Sequence, residues 1–142
     1  MAEASCLVDS SIWIEALSPR GPEKLQAILR TLLEANRAVI TEMIRLEVLA
    51  GSRSSKEFDQ FRQDFSAIRC LEATPEAWHQ AEDLAFTLAR QGLHVPAADL
   101  LIAAVAISHE VALWHADRDF ERIKQALKTF KTLWHPQSAP VV

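Results

Sequence analysis

Cys6-Leu7-Val8-Asp9-Ser10-Ser11-Ile12-Trp13-Ile14 reads as a strand, a carboxylate and a helix start in direct succession. The short apolar run suits a buried strand, and Asp-Ser-Ser is a helix-capping sequence before a short helix expected at 12–17. The same unit recurs along the chain. Ala38-Val39-Ile40 is followed by Thr41, which caps an expected helix at 41–50 that Gly51 closes. Ile68-Arg69-Cys70-Leu71 is followed by Thr74-Pro75-Glu76, with Thr at the cap and Pro at the first helical position. Val111-Ala112-Leu113-Trp114 precedes a helix expected at 120–127, and a fifth strand is expected at 130–134. Short apolar strands alternating with helices specify an α/β fold: a parallel sheet with helices on both faces. Ligands of such sheets bind outside the carboxyl ends of the strands.

The intervening helices show the 3.6-residue period. Leu25, Ile28, Leu29, Leu32 and Leu33 form one stripe on a helix expected at 23–35. Phe58, Phe61 and Phe65 recur on a polar helix opened by Ser54 or Ser55, and read as core packing. After Thr74, the face carrying Trp78, Ala81, Ala85, Leu88 and Ala89 is expected to be buried. The helix expected at 97–109 is apolar nearly all round and must be buried.

Composition removes several classes of function. The chain has 142 residues and is 49% hydrophobic, enough for a core without disulfides or a structural metal. Gly21, Gly51 and Gly92 are its three glycines, and no two are close. No dinucleotide-binding loop or P-loop can form from them. Cys6 and Cys70 are too far apart for a metal or redox motif, and read as two buried thiols in a reducing cytoplasm. No apolar run approaches the ~20 residues of a membrane span. The first residues lack the basic and apolar regions of a signal peptide. The net charge of −4 argues weakly against a nucleic-acid binder.

The carboxylates carry the remaining chemistry. Asp9 follows the first strand, and Asp117 and Asp119 follow the fourth. Capping alone would account for Asp9 and Asp119. Glu47 sits in an otherwise apolar helix, so it either pairs with Arg45 or Arg53 or faces a polar cavity. Asp99 opens the buried helix, in the first turn, where the helix dipole favours an anion. Converging carboxylates repel one another, and a divalent cation removes that conflict. Oxygen ligands without a Cys or His cluster indicate Mg²⁺ or Mn²⁺ rather than Zn²⁺.

These residues resemble the PIN-domain ribonucleases, most closely the VapC-type toxins of bacterial toxin–antitoxin pairs. The resemblance rests on Val8-Asp9-Ser10-Ser11-Ile12-Trp13-Ile14-Glu15, on Thr41 through Glu47-Val48-Leu49-Ala50-Gly51, on Ala98-Asp99-Leu100-Leu101-Ile102-Ala103-Ala104, and on Asp117-Arg118-Asp119-Phe120. It spans nearly the whole chain. It implies a single PIN domain over 1–142: a three-layer sandwich with a central parallel sheet of about five strands flanked by helices. It implies a Mg²⁺- or Mn²⁺-dependent endoribonuclease in which metal-activated water attacks the phosphorus.

By position, Asp9, Glu47, Asp99 and Asp117 would be the catalytic acids, with Asp119 a further metal contributor. Ser10 would support the site by a hydrogen bond. The family often has Ser or Thr two residues before the fourth acid, where this chain has His115. His115 would either contact the metal site or RNA, or be a strand-end histidine with a hydrogen-bond partner. Arg118, between two site acids, is the best-placed of the basic residues for phosphate, ahead of Arg20, Lys24, Arg45, Arg53 and Lys56. Trp13 and Trp114 read as core residues rather than base-stacking platforms. The resemblance further implies RNA as substrate, a cognate antitoxin covering the active-site groove, a homodimer, and a cytoplasmic location.

Two competing readings remain from other classes. A phosphate-accepting signalling module needs an Asp after the third strand, where Leu71-Glu72-Ala73-Thr74 stands. A catalytically silent PIN domain acting as a protein-binding module has no use for clustered carboxylates.

Overall fold

The computed structural model describes residues 4–142. Five strands are present: β1 (Cys6–Val8), β2 (Ala38–Ile40), β3 (Arg69–Cys70), β4 (Ala112–His115) and β5 (Thr132–Trp134). They form one all-parallel sheet in the order β3-β2-β1-β4-β5. Seven helices connect them: α1 (Ser10–Leu17), α2 (Glu23–Glu34), α3 (Glu42–Ala50), α4 (Ser55–Ser66), α5 (Pro75–Arg90), α6 (Ala97–Ser108) and α7 (Arg118–Ala126).

Every residue of β1 and β2 is buried. Successive strand side chains point to opposite faces, so burial of all of them means that helices cover both faces. Parallel strands share one direction, which brings all their carboxyl ends to one edge. The chain builds β1, β2 and β3 outward on one side, then crosses over to lay β4 on the other side of β1. The switch point therefore lies between β1 and β4. Register there is Leu7 opposite Leu113 and Val8 opposite Trp114, and the Asp9 N–H continues it by donating to the Trp114 carbonyl (2.9 Å).

Local signals account for the helix starts. Asp9, Thr41, Ser54, Thr74 and Asp117 each accept a backbone N–H at the start of a helix. Helix α6 is buried continuously from Asp99 to Ala106. Trp13 and Trp114 lie in the core, as expected, and the Trp13 Nε1–H donates to the Val8 carbonyl (3.1 Å).

Four expectations need correction. Cys70 is exposed rather than buried, because β3 is a two-residue edge strand with nothing beyond it. Trp78 is 54% exposed: Ala81 and Leu88 of the expected face are buried, but Ala77 and Leu84 complete the stripe of α5 in place of Trp78, Ala85 and Ala89. In α4 only Phe65 is buried, Phe61 leans on the core, and Phe58 lies under Arg62 at the surface. Helix α1 begins at Ser10 rather than Ile12, because Asp9 itself is the cap.

Candidate metal centre at the sheet edge

Asp9 is 3% exposed. Its Oδ2 accepts from the Ser11 N–H (3.0 Å) and from Ser11 Oγ (2.5 Å). Its Oδ1 is buried and has no hydrogen-bond partner among the described residues. Capping thus uses one oxygen and leaves the other unsatisfied, which is costly unless another group meets it. Burial pushes the Asp9 carboxyl above the ordinary value, against the hydrogen bonds from Ser11.

Asp117 follows β4 and caps α7, with Oδ1 accepting from the Asp119 N–H (3.0 Å). The cap is therefore Asp117, and Asp119 lies in the first turn of α7, where Arg122 reaches its Oδ1 (3.4 Å). Asp99 enters from the first turn of α6 and is 8% exposed. One carboxylate oxygen each from Asp99, Asp117 and Asp119 lie within 4.8 Å of one another.

Glu47, half-buried on α3, accepts a hydrogen bond from Ser10 Oγ (3.2 Å). Neither expected arginine is its hydrogen-bond or ion-pair partner; Arg53 pairs with Glu57 instead (3.6 Å). Burial, then the charge of Asp9, raises the Glu47 carboxyl, and Asp117 adds to the rise. The Asp99 carboxyl is pushed up to about 7, by burial first and then by the charges of Asp117, Asp9, Glu47 and Asp119. The charges of the other four expected acids thus all reach Asp99.

His115 is fully buried. Its Nδ1 accepts the Asp117 N–H (3.1 Å), so the ring hydrogen sits on Nε2, which donates to Glu121 Oε2 (2.7 Å). Burial holds the imidazole below its ordinary value, against the pull of Glu121. The histidine is therefore neutral with both nitrogens engaged, which is the hydrogen-bonded strand-end alternative. Arg118 is exposed beside the acids. Sequence reasoning missed Ser11, whose Oγ also accepts the Ala116 N–H (2.9 Å), and Glu121, the partner of His115. Ser11 carried a signal, being a hydroxyl two residues from an acid. The pairing of Glu121 with His115 had none, since it depends on how α7 folds back over β4.

The donor set fits a hard divalent cation. The converging oxygens of Asp99, Asp117 and Asp119 are all carboxylate, and Asp9, whose charge also reaches Asp99, keeps one buried oxygen with no partner among the described residues.

Comparison with known proteins agrees with this geometry. The PIN domain family model matches residues 6–126. Ribonuclease VapC21 of Mycobacterium tuberculosis is 32% identical over 120 residues, covering 82% of this chain and 84% of the relative. Ribonuclease VapC18 of the same organism is 29% identical, covering 82% and 85%. Among solved structures, VapBC2 from Rickettsia felis bound to a promoter DNA fragment superposes with a TM-score of 0.74 at 20% identity, covering 89% of this chain and 96% of that one. The DNA-bound VapBC from Salmonella typhimurium gives 0.73 at 21%, covering 92% and 97%. A five-stranded parallel sheet carrying an acidic cluster at its switch point, together with these matches, makes the chain a member of the PIN-domain family, among the VapC ribonucleases.

Proposed function

We propose that this protein is a Mg²⁺- or Mn²⁺-dependent endoribonuclease and the toxin of a toxin–antitoxin pair. The observation that carries the reading is the convergence of Asp99, Asp117 and Asp119 within 4.8 Å, supported by the buried, unpartnered Oδ1 of Asp9, whose charge reaches Asp99. A bound divalent ion supplies an activated water and stabilises the charge that develops at a phosphodiester. The metal ligands in this reading are Asp9, Asp99, Asp117 and Asp119. Glu47, held by Ser10, is the remaining catalytic acid, positioned to hold or accept a proton. Arg118 meets the RNA backbone. His115 acts through Asp117, because neither of its nitrogens is free for substrate.

Relatives described as ribonucleases and fold neighbours solved as toxin–antitoxin complexes support RNA as substrate and an antitoxin as partner. A homodimer and a cytoplasmic location belong to the same reading. No helix among the described residues is long and apolar enough to cross a membrane. Light scattering of the purified chain checks the dimer.

RNA cleavage by the purified chain, with Mg²⁺ or Mn²⁺ and then with EDTA, tests the proposal. Cleavage is expected with the ion and not with the chelator. Asp99→Asn is expected to lose more than the roughly 10–100-fold that an outer-shell partner costs. A chain that binds Mn²⁺ no better than a surface-acid control, and leaves all RNA intact, favours the silent protein-binding module instead.

A further inference from the structure

The two acids that flank the switch point, Asp9 and Asp117, are held by a hydrogen-bond network through Ser11, His115 and Glu121. Ser11 Oγ donates its one hydrogen to Asp9 Oδ2 and accepts the Ala116 N–H, so a single hydroxyl ties the start of α1 to the turn after β4. The next N–H of that turn, from Asp117, donates to His115 Nδ1. That acceptor role exists only while the ring hydrogen stays on Nε2, and Glu121 Oε2 takes the Nε2 hydrogen at 2.7 Å. Aromatic neighbours enclose the ring: Phe120 at 5.1 Å between centroids, and Trp134 stacked at 6.3 Å with planes 18° apart. The Ser11 hydroxyl and both ring nitrogens of His115 are therefore taken up within the protein. They fix the backbone from which Asp9 and Asp117 project.

We propose that Ser11 and the Glu121–His115 pair are positioning residues that preset Asp9 and Asp117 for the cation. The inference rests on the metal reading above and deepens it. The His115 imidazole accepts the Asp117 N–H in only one tautomer. Glu121 supplies the selection of that tautomer. Groups that orient a metal ligand commonly govern affinity as strongly as this.

The test is Mn²⁺ binding by titration calorimetry on the full chain, with unfolding temperature measured in EDTA and the histidine ring nitrogens observed by NMR. Glu121 is 22% exposed on its side chain, so Glu121→Ala is expected to fold. That variant is expected to lose about 10–100-fold in Mn²⁺ affinity and to show mixed His115 tautomers. Glu121→Gln, whose amide oxygen still accepts the Nε2 hydrogen, is expected to stay close to wild type in both. Ser11→Ala keeps the backbone cap on Asp9, yet is expected to lose about tenfold in affinity. If Glu121→Ala binds Mn²⁺ as tightly as wild type, or Glu121→Gln loses as much as Glu121→Ala, the inference falls and the metal reading stands. If the wild-type chain binds no Mn²⁺, both fall together. Should Ser11→Ala fail to fold, the Glu121 pair of variants decides.

Discussion

Asp99 shows how one carboxyl registers the whole site. Its value of about 7 in the folded protein lies above the ordinary 3.8. An acid raised by folding binds more protons folded than unfolded, so its contribution favours folding at low pH. The metal-free protein holds that contribution below about pH 4 and loses it as pH rises toward about 7. Asp99→Asn mimics the protonated acid at every pH. In EDTA it is therefore expected to unfold at a higher temperature than wild type at pH 8, with the gap shrinking at pH 5. Scanning fluorimetry at the two pH values checks this, and an unchanging gap would contradict the rise of the Asp99 carboxyl through burial and its charged neighbours. Adding Mn²⁺ is expected to reverse the order at pH 8, because the wild type gains a ligand that the variant binds poorly.

Elements depend on a few contacts at their ends. Helix α3 carries Glu47, and its start is capped by Thr41, which is 3% exposed and accepts from the Ile44 N–H at 3.1 Å. Thr41→Ala is expected to cost about 1 kcal/mol, within the usual range of ~0.5–2 for lost caps, read as a lower denaturant midpoint with unchanged slope. Between α1 and α2 the chain passes close to itself. A Cβ added at Gly21 would collide with the Glu15 carbonyl oxygen, a backbone atom that cannot simply rotate away. Gly21→Ala is expected to destabilise by about 1–3 kcal/mol, measured the same way. The space at this glycine, rather than its conformational freedom, sets the cost.

Element-level errors in the sequence reading have one source. Periodicity locates a helix but leaves its rotation open by a residue or so. Trp78 and Ala77 are neighbours, and both fit an apolar face, yet only Ala77 packs inward. Likewise Cys70 sits in an apolar run, but the sheet ends at that strand, so its burial depended on topology rather than on its neighbours in sequence.

At the scale of the molecule, charge is the decisive quantity. The net charge of −4 looked adverse for an RNA enzyme. The structure brings Asp99, Asp117 and Asp119 within 4.8 Å of one another, and the charges of Asp9 and Glu47 also reach Asp99; a divalent ion bound there would offset them and reverse the local field. RNA affinity is therefore expected to depend on the ion more than on the total charge. With a cleavage-resistant phosphorothioate RNA, fluorescence anisotropy is expected to show at least about tenfold tighter binding in Mg²⁺ than in EDTA at equal ionic strength. Equal affinity in both would place the RNA away from the acids.

The sequence by itself determined the order of strands and helices and most of the capping residues, and it singled out the acids. Those features are local: a capping side chain acts within three residues, and burial of a strand or helix shows in its own pattern. The parallel sheet aligns the carboxyl ends of β1 and β4, so Asp9 and Asp117 share one edge, but that Asp99 joins Asp117 and Asp119 within 4.8 Å came from the packing of α6. The rest was decided by tertiary structure alone. Glu47 turned to Ser10 rather than to an arginine, Ser11 bridged 105 positions to Ala116, and Glu121 fixed the tautomer of His115. The reason is physical: a hydrogen bond between distant residues is set by their separation and angle in space, which no spacing along the chain encodes.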